Sequence, residues 1–157
     1  MSTSTSTVSA SQHDLPQNLL KRHAGSSIED FRKHYIERHG KVAIPWFLAN
    51  GVTYYAQIHG PLRWASETAR QKYAGSIKLE EWDASAEVDL ASVDKGQDFY
   101  NKVILPDERK LFLTEARDHL QIVDAGSVVG DRVEFIVNGK ALVEYEEWEK
   151  VWDEHEA

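Results

Sequence analysis

The spacing of apolar positions changes from segment to segment along the chain, and each spacing predicts an element. Ile28, Phe31 and Tyr35, with His39 next in the series, share one narrow stripe at 100° per residue. A helix is therefore expected over 28–38, with His39 on its core-facing side at the C-terminal end. Ser27, followed three residues later by Asp30, caps its start, and Gly40 is expected to end it. Pro45 is expected to open or kink a second short helix that Asn50-Gly51 terminates.

Over 52–59 the pattern switches to alternation and predicts a strand. Val52, Tyr54, Ala56 and Ile58 fall on one face, and Thr53, Tyr55, Gln57 and His59 on the other. Gly60-Pro61 is expected to close this strand, and a weakly amphipathic helix over 62–74 reads as a surface excursion. A strand follows over 85–90, where the shared face of Ser85, Glu87 and Asp89 is expected to meet solvent. Helices are expected over 94–104 and, from Pro106-Asp107-Glu108, to about 117. Further strands are expected over 18–22, 120–125 and 132–137, with turns over 126–130 and at Asn138-Gly139. The segment 141–156 is acidic, with Trp148 and Trp152 at helical spacing, and reads as a C-terminal helix.

Strands separated by helical segments predict an α+β domain, a sheet with helices on one face. The sheet's other face then needs cover, and two-fold pairing into a homodimer supplies it most simply. The chain of 157 residues suits one such domain, read as a Ser/Thr-rich disordered tail over 1–16, a folded body over 17–140 and the acidic helix over 141–157.

Composition narrows the function. A formal net charge of -8 leaves no basic footprint for nucleic acid. No apolar run reaches the ~20 residues that span a bilayer, and the first residues lack the pattern of a secretory signal, so no membrane partner is expected. The chain has no cysteine, which excludes disulfides, thiolate metal sites and thiol catalysis and fits a reducing, cytoplasmic setting. Phosphate-binding loops, dinucleotide fingerprints and nucleophile elbows are absent.

The histidines carry what chemistry remains. His34 and His39 are five apart and lack the spacing of a two-histidine metal site, so no metal is expected. His34 falls off the apolar stripe and is expected at solvent or a partner chain. Two readings of His39 stand side by side: a helix-end imidazole bonding the last carbonyls, or a general acid/base on a pocket wall. Tyr55, Gln57 and His59 in a row suit either solvent or a cavity that orients an oxygen-rich aromatic, with Trp46 and Phe47 as its apolar wall. Asp83, just before a strand, is placed to cap it or to orient a histidine. His13 and His155 read as solvated, His23 sits in a turn, and His119 stays unassigned.

The segment GSSIEDFRKHYIERHGKVAIPWF resembles the opening of the EthD-like proteins of the dimeric α+β barrel superfamily, through Phe31, Tyr35 and His39-Gly40. The later WDASAEVDLASVDKGQDFY resembles that family's second half, and the likeness covers about residues 18 to 137. The form HGKVAIPWFLANGVTYYAQIH looks most like fungal EthD-domain proteins of aromatic polyketide gene clusters. That resemblance implies a ferredoxin-like dimeric barrel and a cofactor-independent lyase of secondary metabolism. Its expected reaction is decarboxylation of a polycyclic β-keto or phenolic acid, with dehydration or cyclisation as the alternative reactions and a non-catalytic binding protein as the alternative class. On this reading His39 and His59 are catalytic. Tyr35, Trp46, Phe47, Tyr55, Gln57 and Asp83 bind an aromatic small-molecule substrate, and no cofactor takes part.

Overall fold

The computed structural model describes residues 14–111 and 120–156. Among the described residues, six strands form one antiparallel sheet in the order β4-β1-β3-β2-β5-β6. They are β1 (Gln17–Leu20), β2 (Tyr55–Trp64), β3 (Ala84–Val88), β4 (Leu120–Val123), β5 (Val128–Val137) and β6 (Lys140–Ala141). The first four, in the order β4-β1-β3-β2, are the sheet of a ferredoxin-like α+β fold, and the β5–β6 hairpin extends it beyond β2. Asn138 and Gly139, with φ of 53° and 76°, make the tight turn of that hairpin.

The layer over one face of the sheet begins with α1 (Ile28–His34), a π-helical turn (Tyr35–His39) and α2 (Gly40–Ala49). It continues with α4 (Gln97–Phe99), a second π turn (Tyr100–Ile104) and α5 (Leu105–Leu111). Between these helical runs, α3 (Glu67–Tyr73) leads into a 3₁₀ turn (Leu79–Glu81), and α6 (Glu146–Glu156) closes the described chain. Phe31, Tyr35 and Leu111 pack on Leu20, Ala84 and Ala86 of the sheet, while Ile44 packs with Tyr55, Phe135 and Ile136.

The first helical run departs from expectation at Gly40. Its backbone stays right-handed (φ −59°, ψ −40°) and the helix passes straight through it. Gly40 serves close approach instead: a Cβ there would stand 2.5 Å from the Phe135 ring and 2.8 Å from the Gln57 amide nitrogen. Pro45 lies inside α2, five residues after its start. Gly51, at φ +82°, follows the end of that helix as expected. Ile28, expected in the core, is 41% exposed, whereas Phe31 and Tyr35 are buried.

β2 starts at Tyr55 and does not stop at Gly60-Pro61. Its register to β5 shifts between His59 and Arg63, so Pro61 occupies an irregularity where no ladder partner needs its missing N–H. The helix expected over 62–74 shrinks to α3, capped by Ser66 accepting from the Ala69 amide. β5 begins at Val128, inside the segment read as a turn, and α6 begins only at Glu146.

The sheet's second face is partly covered from within. Ile77, Leu79, Trp64, Tyr73 and Trp82 pack on Leu19, Ile58 and Val128 there. Glu87, expected at solvent, is buried: Arg132 grips its carboxylate through both guanidinium nitrogens at 2.7 and 3.0 Å, and the Gln17 amide donates to it at 2.8 Å. Ser85 is buried as well, and Asp89 accepts from the backbone N–H groups of Thr53 and Tyr54 at 2.8 and 3.0 Å. The expected tail over 1–16 and the helix end near 117 fall largely or wholly outside the described residues.

Candidate functional site

Helices standing on a sheet leave a gap wherever facing side chains are short. Here Leu20, Ala86 and Val88 of the sheet face Ala43 of α2, and a hollow of about 460 Å3 opens between the layers. That size suits a small organic ligand, for which pockets run to roughly 300–1,000 Å3. Trp46 and Phe47 of α2, Tyr55 of β2 and Tyr100 of the second π turn complete much of its aromatic wall, with Ile104 adding an aliphatic surface. Polar groups enter at Asn18, Tyr35, His39 and Glu108.

Each helical run that walls the hollow carries a π turn at the wall. Such turns insert an extra residue into the helical phase and recur at functional sites. In the first, the Gly40 N–H reaches back to the Tyr35 carbonyl. Tyr35 and His39 both turn inward, their rings 5.8 Å apart.

His39 is buried, and its Nδ1–H donates to Oδ2 of Asp107 at 2.8 Å. His34 Nε2–H and Arg38 Nε–H donate to Oδ1 of the same carboxylate at 2.8 and 3.0 Å. His34 is thus tied to Asp107 and does not simply face solvent. Burial alone raises the Asp107 carboxyl, but the hydrogen bonds and charges of His39 and His34 outweigh it and hold the group well below the usual carboxylate range. With Nδ1 committed to an anion, Nε2 is the ring nitrogen through which His39 could exchange a proton with a ligand.

Tyr55, Gln57 and His59 share a face as expected, and that face meets the helices. The Gln57 amide donates to the Tyr35 carbonyl at 2.8 Å and to the Tyr55 hydroxyl at 2.9 Å. Its oxygen accepts from His59 Nε2–H at 2.8 Å. The Tyr35 and Tyr55 phenols also interact with each other. Burial, above all, keeps both phenols protonated far above their ordinary pKa. The Tyr100 phenol is pushed up to about 12 by burial and then by the charge of Glu108, whose Oε2 accepts from it at 3.2 Å.

His59 is buried edge-on against Tyr35, ring centroids 5.4 Å apart, and does not line the hollow. Burial, reinforced by the Arg32 charge, pushes its pKa down to about 4 and keeps it neutral. Asp83 is occupied elsewhere, holding the Arg22 guanidinium at 2.6 Å and the Arg22 amide at 2.9 Å. Among the other histidines, His155 meets Asp98 at 3.0 Å, and His23 accepts from the Gly25 amide at 3.2 Å. His13 and His119 lie outside the described residues.

The hollow therefore gathers Tyr35, His39, Trp46, Phe47 and Tyr55 from the expected set. It adds Asn18, Tyr100 and Glu108, with Asp107 behind His39. Asp107 left a trace in the sequence: it sits three residues after Ile104 and four before Leu111, an acid within an apolar stripe, and a buried acid calls for partners. Among the described residues no group of His, Asp and Glu is arranged to hold a metal ion, and no helix is long and apolar enough to cross a membrane. Comparison with known proteins found no matching family model, no matching curated protein and no matching solved structure.

Proposed function

We propose that the protein is a cofactor-independent lyase that removes CO2 from a polycyclic aromatic β-keto or phenolic acid, with His39 as its acid/base. The observation that carries this reading is the His39–Asp107 pair set in the wall of an aromatic hollow. Imidazole bound to a buried carboxylate is oriented, fixed in one tautomer and stabilised when it takes a proton.

In the proposed reaction the bond between the ring carbon and the carboxylate breaks. Its electron pair moves into the conjugated carbonyl, whose oxygen receives a proton from His39 Nε2. The Tyr55 hydroxyl steadies that oxygen as charge develops. CO2 leaves, and a proton taken up from solvent restores His39. The enol stays as a phenol or returns its O–H proton as carbon is protonated. Trp46, Phe47 and Tyr100 stack on the rings and limit water. A positioned acid of this kind contributes roughly 10²–10⁴-fold, enough for a β-keto acid that already loses CO2 unaided.

The β4-β1-β3-β2 order supports kinship with the EthD-like dimeric α+β barrels, and with it a homodimer, as parts of the same proposal. Among the described residues lining the hollow none is Lys or Arg. A neutral ketone is therefore also a fitting guest, and loss of water or aldol cyclisation through the same His39 is the second reading.

The test is product formation from a tricyclic β-keto or phenolic acid, followed by CO2 release and mass spectrometry. His39→Ala is expected to cut turnover at least roughly 100-fold while the acid still binds. Unchanged turnover in that variant overturns the catalytic reading. Loss of 18 mass units in place of 44 selects the dehydration reading.

A further inference from the structure

One row of the sheet runs beneath the hollow. Gln57 of β2 stands opposite Ala86 of β3, and Ala86 stands opposite Asn18 of β1. Ala86 is short, and both it and Asn18 line the hollow. The Gln57 amide holds the Tyr55 hydroxyl over its own end of that row, at 2.9 Å. Neighbouring strands lie about 4.8 Å apart, so roughly 10 Å separates the backbone at Gln57 from that at Asn18. The register thus sets a phenol over β2 and a carboxamide two strands away, with a methyl group between them.

Asn18 is half-buried, and its bonding is incomplete. Among the described residues its Nδ2 reaches one acceptor, the Ala86 carbonyl at 3.5 Å, which is long for a hydrogen bond, and its Oδ1 meets no donor. Gln17, one position earlier on the other face of β1, differs. Its amide donates to Glu87 at 2.8 Å and to the Val128 carbonyl at 3.1 Å, and accepts from the Val128 N–H at 2.8 Å. A carboxamide offers two donors and one acceptor oxygen without charge, so Asn18 suits a hydroxyl or a carbonyl oxygen.

We propose that Asn18 is a specificity-determining residue of the hollow, bonding one ring oxygen of the ligand while a second oxygen of the same molecule meets the Tyr55 hydroxyl. The inference rests on the aromatic-ligand reading of this hollow and adds the substrate class: flat fused-ring aromatics that carry oxygens at opposite ends. An isomer with both oxygens at one end leaves the Asn18 or the Tyr55 end unpaired and binds more weakly.

Isothermal titration calorimetry at neutral pH with 2,6-dihydroxynaphthalene and 2,3-dihydroxynaphthalene tests this directly, since the isomers differ only in where the second hydroxyl sits. The wild-type chain is expected to prefer the 2,6 isomer by roughly 3- to 10-fold, as one added neutral hydrogen bond allows. Asn18→Leu, close in volume, is expected to shrink the preference to less than about 2-fold, chiefly by weakening the 2,6 isomer. Asn18→Ala should do the same, which secures the comparison should Asn18→Leu fold poorly. Tyr55→Phe removes the partner at the other end and is expected to shrink the same preference.

Equal binding of the two isomers by the wild type, or a preference that survives the Asn18 variants or Tyr55→Phe, overturns the inference and leaves the aromatic-ligand reading standing. Failure of both isomers to bind overturns the two together. A preference lost in the Asn18 variants, alongside full turnover in His39→Ala, supports this inference and removes only the catalytic proposal.

Discussion

Asp107 Oδ2 stands 2.8 Å from Nδ1 of His39 across 68 positions of sequence, joining the two helical runs that wall the hollow. His34 and Arg38 complete the same carboxylate from the first run. The contact therefore both fixes the imidazole and pins the wall, and its loss should show in stability as well as in chemistry.

Asp107→Asn is expected to cost roughly 3 kcal/mol of stability at pH 7, as breaking a buried ionic cluster does. The folded-state pKa lies below the unfolded value, so the stabilisation is complete above about pH 4 and fades as pH falls below it. Urea melts of wild type and variant should accordingly diverge at pH 7 and converge toward pH 3. A constant gap across that range rules out the ionic origin.

His59 makes the opposite demand. Its pKa is held down at about 4, so the folded protein resists a proton that the unfolded chain accepts near 6.5. Its contribution is whole above about pH 6.5 and is lost as pH falls toward 4, up to roughly 3 kcal/mol across the window. Replacing it by Asn should flatten that part of the stability profile relative to wild type. Parallel profiles between pH 7 and pH 4 contradict a buried neutral His59.

Gly40→Ala should destabilise, although alanine is the better helix former by about 1 kcal/mol. The new methyl meets the Phe135 ring at 2.5 Å and the Gln57 amide at 2.8 Å. Overpacking of this kind costs roughly 1–3 kcal/mol. A thermal melt that rises on substitution would show that Gly40 is merely a helix residue.

Gly96→Ala tests the anchorage of the C-terminal helix. Gly96 has φ +76°, and a Cβ there would lie 2.5 Å from the Trp152 ring and 2.8 Å from Trp46. Trp152 belongs to the cluster of Trp46, Phe99 and Trp148 that holds α6 against the walls of the hollow. The variant should speed amide exchange across 146–156 while β2 and β3 stay protected. Unaltered exchange in α6 sinks this account of its docking.

Local pattern explains which expectations agreed with the structure. Alternation over Tyr55–His59 gave the correct faces, because a strand sends successive side chains to opposite sides whatever packs on them. Phe31, Tyr35 and His39 turned inward as their spacing indicated, and Asn50-Gly51 and Asn138-Gly139 ended their elements through backbone conformations that few residues adopt. Gly40, Pro61 and Glu87 misled for a shared reason. Each looks like a local signal for a stop or for solvent, yet each is governed by a residue far along the chain: Phe135 over Gly40, the β5 register beside Pro61, Arg132 around Glu87.

The order and type of most of the elements, and an inward histidine closing the first long helical stripe, follow from the sequence alone, since periodicity and turn chemistry act within a few residues. Which acid holds that histidine, which carboxylate enters the hollow, and the removal of His59 and Asp83 from it were decided only by tertiary structure. Side chains 60 to 80 residues apart meet at hydrogen-bond distance there, and burial then sets their charge.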